Sequence, residues 1–156
     1  MTDTLVNVAA DPIPHLALDQ QLCFALYRAS RSVVRSYNEV LKDLGVTYPQ
    51  YLTLLALWAD VDRPVGVGEL GDQLGLDSGT LTPLLKRLEQ RGLVERRRSV
   101  EDERRVDVVL TGEGRALRER ASIVPVQLFP AYGMSLGDAA ELRTRLHELA
   151  DRLDDA

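Results

Sequence analysis

The chain of 156 residues has a single cysteine, Cys23, and two histidines, His15 and His147. One thiol rules out an intramolecular disulfide, and so few thiols and imidazoles leave no metal site of nitrogen and sulfur ligands within one chain. Nor is there a run approaching the ~18 apolar residues that a membrane span needs. The N-terminal MTDTLVNVAADPIPH lacks the basic-then-apolar order of a secretory leader, so the expectation is a cytoplasmic protein with no membrane partner. Apolar content is not scarce: 45% of residues are hydrophobic, which excludes wholesale disorder, and the length suits one domain with a real core.

A net charge of −5 argues at first against a nucleic-acid partner. The sum hides an asymmetry. From Lys86 to Arg105 eight cations face five anions, a local excess of three that leaves −8 on the rest of the chain. An acidic body carrying one basic face still binds DNA, and its acidity discourages wrong orientations.

That basic face belongs to the run DSGTLTPLLKRLEQRGLVERRRSVEDERRVDVVLT, residues 77–111. Asp77 or Ser78 can cap a helix start and Gly92 can stop it. Between them Leu81, Leu85 and Leu88, with Leu84 on the flank, form an inward stripe. The outward positions are Gly79, Pro83, Lys86 and Gln90, flanked by Thr80, Thr82 and Arg87, a hydroxyl, amide and cation set suited to a major groove. Pro83 removes one backbone bond and predicts a kink on the outer face. Residues 93–98 and 105–110 then have strand length, with Val106, Val108 and Leu110 alternating as in a half-buried hairpin. The polar tip, Ser99 to Arg104, can reach a minor groove, where negative potential attracts arginine.

This run resembles the winged helix-turn-helix of the MarR family of transcription regulators, including the D-x-R wing signature at Asp102 and Arg104, and the resemblance extends over about residues 18–153. It implies that Asp102 orients Arg104 for the minor groove. The DNA-binding set expected is Ser78, Thr80, Thr82, Lys86, Arg87, Gln90, Arg96, Arg98, Asp102 and Arg104, with a pseudo-palindromic double-stranded operator as partner.

The rest of the chain fits a mainly α fold with a small β wing. Residues 1–15 read as a flexible arm and 16–156 as one domain, in which 17–45 and 112–156 supply dimerisation helices and 46–111 the winged helix-turn-helix. A long helix is expected from about Ala17, stepping through Leu22, Leu26, Ala29, Val33, Tyr37, Val40 and Leu44 to a stop at Gly45. Thr47 caps a second helix whose apolar side is Tyr51, Leu52, Leu55 and Trp58. A loop or third short strand lies between Asp60 and Val67, and Glu69 to Leu74 is a short helix turned by Gly75 into the recognition helix. Gly66, Gly68 and Gly71 spell G-x-G-x-x-G, but Asp62-Arg63-Pro64-Val65 is no hydrophobic strand and another helix follows, so no nucleotide or other cofactor is expected.

After Thr111 a helix runs to about Leu128, with Pro125 expected to bend or break it near its end. Ser135 caps a last helix carrying Leu142, Leu146, Leu149 and Leu153. Apolar stripes at both ends of the chain exceed what one core can cover, which points to a homodimer with two recognition helices about one DNA turn apart, the alternative being that the stripes wrap the winged domain of their own chain.

Cys23 lies early in the first helix. A free cysteine is most often a small buried apolar residue, but a helix that starts near Asp19 would put this one by the positive end of the dipole, which lowers a thiol pKa. Tyr27, at i+4, can lie over it. Tyr37 is 14 residues further, about 21 Å along the axis, and can reach only the cysteine of an antiparallel partner. The segments LCFALYRASR, VTYPQYLTLLALW and LDSGTLTPLLKRLE resemble the organic-hydroperoxide-sensing OhrR branch of the MarR family. This implies that Cys23 is the peroxide sensor and that Tyr37 and Tyr48 bond to it across the dimer. With no second cysteine the chain is similar to the one-cysteine subtype, and an oxidised Cys23 is expected to form a mixed disulfide with a small-molecule thiol, or a sulfenamide, or to overoxidise.

The expected function is therefore a homodimeric repressor, not an enzyme, that releases its operator when organic hydroperoxide oxidises Cys23. One alternative is a MarR-type repressor released by an aromatic small molecule, with Cys23 structural. A thiol peroxidase is disfavoured, because nothing in the chain resolves the oxidised sulfur for repeated turnover.

Overall fold

The computed structural model describes residues 16–155; the expected 1–15 arm lies outside the described residues. The elements in order are α1 (Leu22–Leu41), α2 (Tyr48–Trp58), β1 (Val65–Gly66), α3 (Val67–Leu74), α4 (Ser78–Gln90), β2 (Val94–Arg98), β3 (Val106–Leu110), α5 (Gly112–Ala121), α6 (Ile123–Leu128) and α7 (Leu136–Asp154). Short 3-10 turns lie at Leu18–Gln20, Lys42–Leu44 and Phe129–Tyr132.

The first helix starts later than the sequence pattern indicates. Gln21 is extended (φ −86°, ψ 120°) and separates the Leu18–Gln20 turn, which holds Asp19, from α1, which opens at Leu22 with no side-chain cap. The apolar periodicity continues through this break because a 3-10 turn keeps its side chains close to helical phase. At the far end Gly45 adopts φ +66° and stops the chain. The carbonyls there are claimed by distant guanidinium groups: Arg120 Nη2 donates to Asp43 O at 2.8 Å and Arg91 Nη2 to Leu44 O at 3.3 Å. These bonds tie α1 to α5 and to the base of the wing.

α2 is the central element. Thr47 and Gln50 form a capping box in which the Thr47 N–H donates to Gln50 Oε1 at 2.9 Å, and Pro49 sits in the first turn, where its missing N–H costs nothing. Its buried row is Tyr51, Leu54, Leu57 and Trp58, whereas Leu55 is exposed. The expected apolar side is thus rotated, because both rows are rich in leucine and packing against α3, α4 and α5 selects between them.

Leu76 N donates to Gly71 O at 2.9 Å across the α3–α4 turn, and Gly75 takes φ +61° there. β1 pairs with β3 and β3 with β2, all antiparallel, with Val108 opposite both Val65 and Arg96. The third short strand is therefore real, two residues long. Leu70, Leu81, Leu85, Leu88, Leu93, Val94 and Val108 close one core with the α2 row, Leu117 and Val124.

Trp58 Nε1 donates to Gly114 O at 2.9 Å inside this core. Gly114 packs so tightly that an added Cβ would stand 2.0 Å from Leu93 O. The helix expected to run to Leu128 breaks at Ser122, between α5 and α6. Pro125 has no N–H for the Ala121 carbonyl, so the interruption falls one turn before the proline. α7 is capped by Ser135, whose Oγ accepts from Asp138 N at 3.1 Å, and none of its residues is buried: Leu142, Leu146 and Leu153 are exposed. Among the described residues no helix is long and apolar enough to cross a membrane.

Candidate nucleic-acid interface and thiol site

Asp77 is the N-cap of α4, its Oδ1 accepting from Thr80 N at 2.8 Å. With Leu81, Leu84, Leu85 and Leu88 buried, Ser78, Thr80, Thr82, Lys86, Arg87 and Gln90 are all exposed along the opposite side. α4 runs unbroken through Pro83, which is exposed, so the carbonyl it leaves unbonded faces solvent.

Beside α4 the hairpin tip is closed by backbone bonds from Ser99 N to Arg105 O (3.0 Å) and from Arg105 N to Asp102 O (2.8 Å). Asp102 Oδ1 accepts from both the backbone N–H (3.0 Å) and Nε (3.3 Å) of Arg104. The carboxylate thus fixes the root of a side chain that is otherwise 92% exposed. Arg98 reaches Glu103 O at 3.4 Å and stays exposed. Between wing and helix lies a concavity of about 420 Å³ lined by Thr82, Arg96, Arg104 and Arg105.

Arg96 is placed differently from the other expected DNA contacts. Glu89, on the last turn of α4, accepts from Arg96 N (3.0 Å), Nε (3.1 Å) and Nη2 (2.7 Å). Those bonds, the side-chain ones foremost, hold the Glu89 carboxyl below its usual range. Arg96 is therefore a staple between α4 and β2, and Glu89, absent from the expected site, is its other half. Residues seven apart carry no sequence signal for such a pair, since only the crossing of strand and helix brings them together.

The thiol end is open. Cys23 is exposed, the second residue of α1. Tyr27 does not present its hydroxyl toward it: the oxygen accepts from Arg31 Nη1 at 2.7 Å, one turn further along, and the Arg31 guanidinium lies 5.5 Å from the ring centroid. Tyr37 and Tyr48 do come together, with ring centroids 4.8 Å apart, and Tyr51 follows at 5.8 Å from Tyr37. Burial, aided by a hydrogen bond with Tyr132, pushes the Tyr37 phenol well up, and burial raises Tyr48 and Tyr51 as well, so all three are protonated donors at neutral pH. With Phe129, Tyr132, Leu142 and Leu146, Tyr37 and Tyr48 line a cavity of about 550 Å³. Tyr132 was outside the expected set because it is remote in sequence from the other four tyrosines, and the Phe129–Tyr132 turn folds it back.

A helix-turn-helix whose second helix projects hydroxyls and cations, flanked by a hairpin bearing an oriented arginine, defines a winged-helix DNA-binding transcriptional regulator. The family model for "Transcriptional regulator SarA/Rot" matches residues 35–120. The chain is 45% identical over 139 residues, 89% of its length and 93% of the relative's, to the organic hydroperoxide resistance transcriptional regulator of Bacillus subtilis (strain 168). Two solved structures of AbfR, a protein of Staphylococcus epidermidis, are also similar. Reduced AbfR bound to DNA shares 37% identity with a TM-score of 0.77 over 88% of this chain and 93% of that one. Disulfide-formed AbfR shares 38% with a TM-score of 0.59 over 85% and 92%. The chain belongs to the MarR family, in its organic-hydroperoxide OhrR branch, and its lone cysteine makes it a member of the one-cysteine subtype.

Proposed function

We propose that the chain works in the cytoplasm as a homodimeric repressor that holds a pseudo-palindromic operator while Cys23 is reduced and releases it once an organic hydroperoxide has oxidised that sulfur. The observation that carries this reading is one of position. The thiol sits exposed at the start of α1, whereas Tyr37 is 14 residues, or about 21 Å, along the same helix. Only the α1 of a second copy, running the opposite way, brings the two together. The leucines left exposed on α7 support the same pairing, since a stripe of that length on a lone subunit is an unmet interface. Two α4 helices would then enter successive major grooves, with Arg98 near the backbone and Arg104, set by Asp102, in the flanking minor groove.

The chemistry balances with one thiol. The Cys23 thiolate attacks the distal oxygen of R–O–O–H, the O–O bond breaks, and the alkoxide leaves and takes up a proton, giving sulfenic acid. A small-molecule thiol then displaces the hydroxyl as water and forms a mixed disulfide; further peroxide gives the sulfinic acid instead. Either product is larger and more polar than a thiol, breaks the phenol contacts at the seam and moves the two α4 helices off their spacing.

Operator binding by fluorescence anisotropy tests this with reduced protein, protein treated with stoichiometric organic hydroperoxide plus a small thiol, and Cys23→Ser. Release of the wild type alone is expected; equal binding by all three sinks the redox step and leaves the DNA binding. The cavity beside Tyr37 and Tyr48 has room for an aromatic molecule and favours, as second reading, a repressor released by such a ligand with Cys23 structural. A hydroperoxide response retained by Cys23→Ser would select it.

A further inference from the structure

We propose that Arg91 and Arg120 are coupling residues for the thiol switch: by holding the last carbonyls of α1, they carry a displacement at Cys23 to the recognition helix and its wing. The inference rests on the reading of Cys23 given above and adds the route by which the sulfur reaches the DNA. Cys23 is the second residue of α1, and the Lys42–Leu44 turn follows α1 without a break, Lys42 keeping helical dihedrals (φ −53°, ψ −44°). From Cys23 to Leu44 this makes a rod of about 30 Å at 1.5 Å per residue. A tilt forced at the thiol end reappears at the turn.

A helix end leaves its last carbonyls without helical partners and carries a negative partial charge, which suits a guanidinium. Here Gly45 N–H donates to Lys42 O at 2.9 Å, and the next two carbonyls accept from arginines: Asp43 O from Arg120 Nη2 at 2.8 Å and Leu44 O from Arg91 Nη2 at 3.3 Å. The Arg91 head also lies over the turn, since a Cβ at Gly45 would stand 2.8 Å from its Nη2 and 3.1 Å from its Nη1. Arg91 is the C-cap of α4, its N–H still bonded to Arg87 O. Arg120 lies in the last turn of α5, whose first turn meets Leu93 at the foot of β2. Leu41 and Leu44 are buried and keep the turn seated in the core. The principal neighbours of α1 are otherwise α2 and α6, and those of α4 are α2, α3 and β2. The two arginines therefore give α1 its direct hold on the DNA-reading elements.

Operator affinity is measured at several salt concentrations for the full chain, reduced and as the mixed disulfide with a small thiol, in wild type, Arg91→Ala, Arg120→Ala and the double variant. The ratio of reduced to oxidised affinity is the coupling. Each single variant is expected to lower that ratio roughly three- to tenfold and the double variant at least as far, with the reduced proteins keeping the wild-type salt slope. Where an alanine variant does not fold, Arg91→Lys and Arg120→Lys, which put a compact ammonium in place of the planar fork, should show a smaller fall in the same direction. A ratio left unchanged by the exchange at either position overturns the role of that residue. A reduced Arg91→Ala whose salt slope is smaller by about 0.9 shows Arg91 neutralising a phosphate, and overturns its coupling role as well. Equal affinity of reduced and oxidised wild type overturns the redox reading and, with it, this inference.

Discussion

Changing Glu89 to Gln separates two employments of Arg96 that a sequence treats alike. If Arg96 meets a phosphate, removing an anion beside it strengthens operator binding. If it is a staple, the same change loosens the wing. The Gln amide keeps one oxygen for the Arg96 N–H but turns a donor toward the guanidinium, so two of the three bonds, at 3.1 and 2.7 Å, are lost. Charge-assisted bonds are each worth up to ~3 kcal/mol when buried. Here the side chains are 29% and 35% exposed, and solvent screening brings the loss to about 1 kcal/mol. Thermal melts should register that as a fall of roughly 2–4 °C. The pH dependence has a definite sign. Glu89 titrates lower in the folded protein than unfolded, so its contribution is fully present above its unfolded pKa of about 4.3 and is lost as pH falls through the folded value. The melting gap between wild type and Glu89→Gln is therefore constant near neutrality and closes in acid. Arg96→Gln should give a similar fall, not additive with Glu89→Gln, and should leave the slope of log K against log salt nearly unchanged. A slope smaller by about 0.9 with an unchanged melt would mean that Arg96 neutralises a phosphate and that the staple reasoning is wrong.

Arg104→Ala should weaken operator binding about tenfold and reduce the salt slope by about one, with Asp102→Asn giving a smaller loss and the original slope; an unaffected Arg104→Ala would remove the wing from the interface. The pair Leu142→Glu and Leu146→Glu should yield monomers in multi-angle light scattering, because charges on an apolar seam are not solvated when it closes, and a dimer that survives would move the interface off α7. Gly114→Ala should lower the melting temperature by roughly 5–10 °C, since the new methyl meets backbone and not a flexible side chain; a shift under one degree would mean that α5 is free to move.

Much of the DNA-reading half is legible in the chain because its signals are local. The leucine spacing of α4, Asp77 at its start and Gly75 at the turn each act within one helical turn. Where the sequence misleads, the deciding force comes from elsewhere. Leu54 displaces Leu55 from the α2 core because neighbours on three sides choose the row. Glu89 and Arg96 meet through the placement of a strand, and Tyr132 reaches Tyr37 through a turn far along the chain. The start of α1 is misplaced because a 3-10 turn imitates helical spacing. Tyr27 sits one turn from Cys23, as its spacing indicates, with its oxygen accepting from Arg31 one turn further along the helix.

The close approach of Gly114 to Leu93 has a mechanical consequence. Thr111 Oγ1 donates to Gly92 O at 2.5 Å, Thr111 N to Leu93 O at 3.1 Å, and Trp58 to Gly114 O, so the first turn of α5 is bolted to the end of the recognition helix and to α2 without a side-chain cushion between. Such a joint has no backlash. A displacement imposed on α5 would therefore be passed to the base of the wing through backbone contacts. The place for such a movement to be absorbed would be Ser122, where the helical backbone is interrupted between α5 and α6.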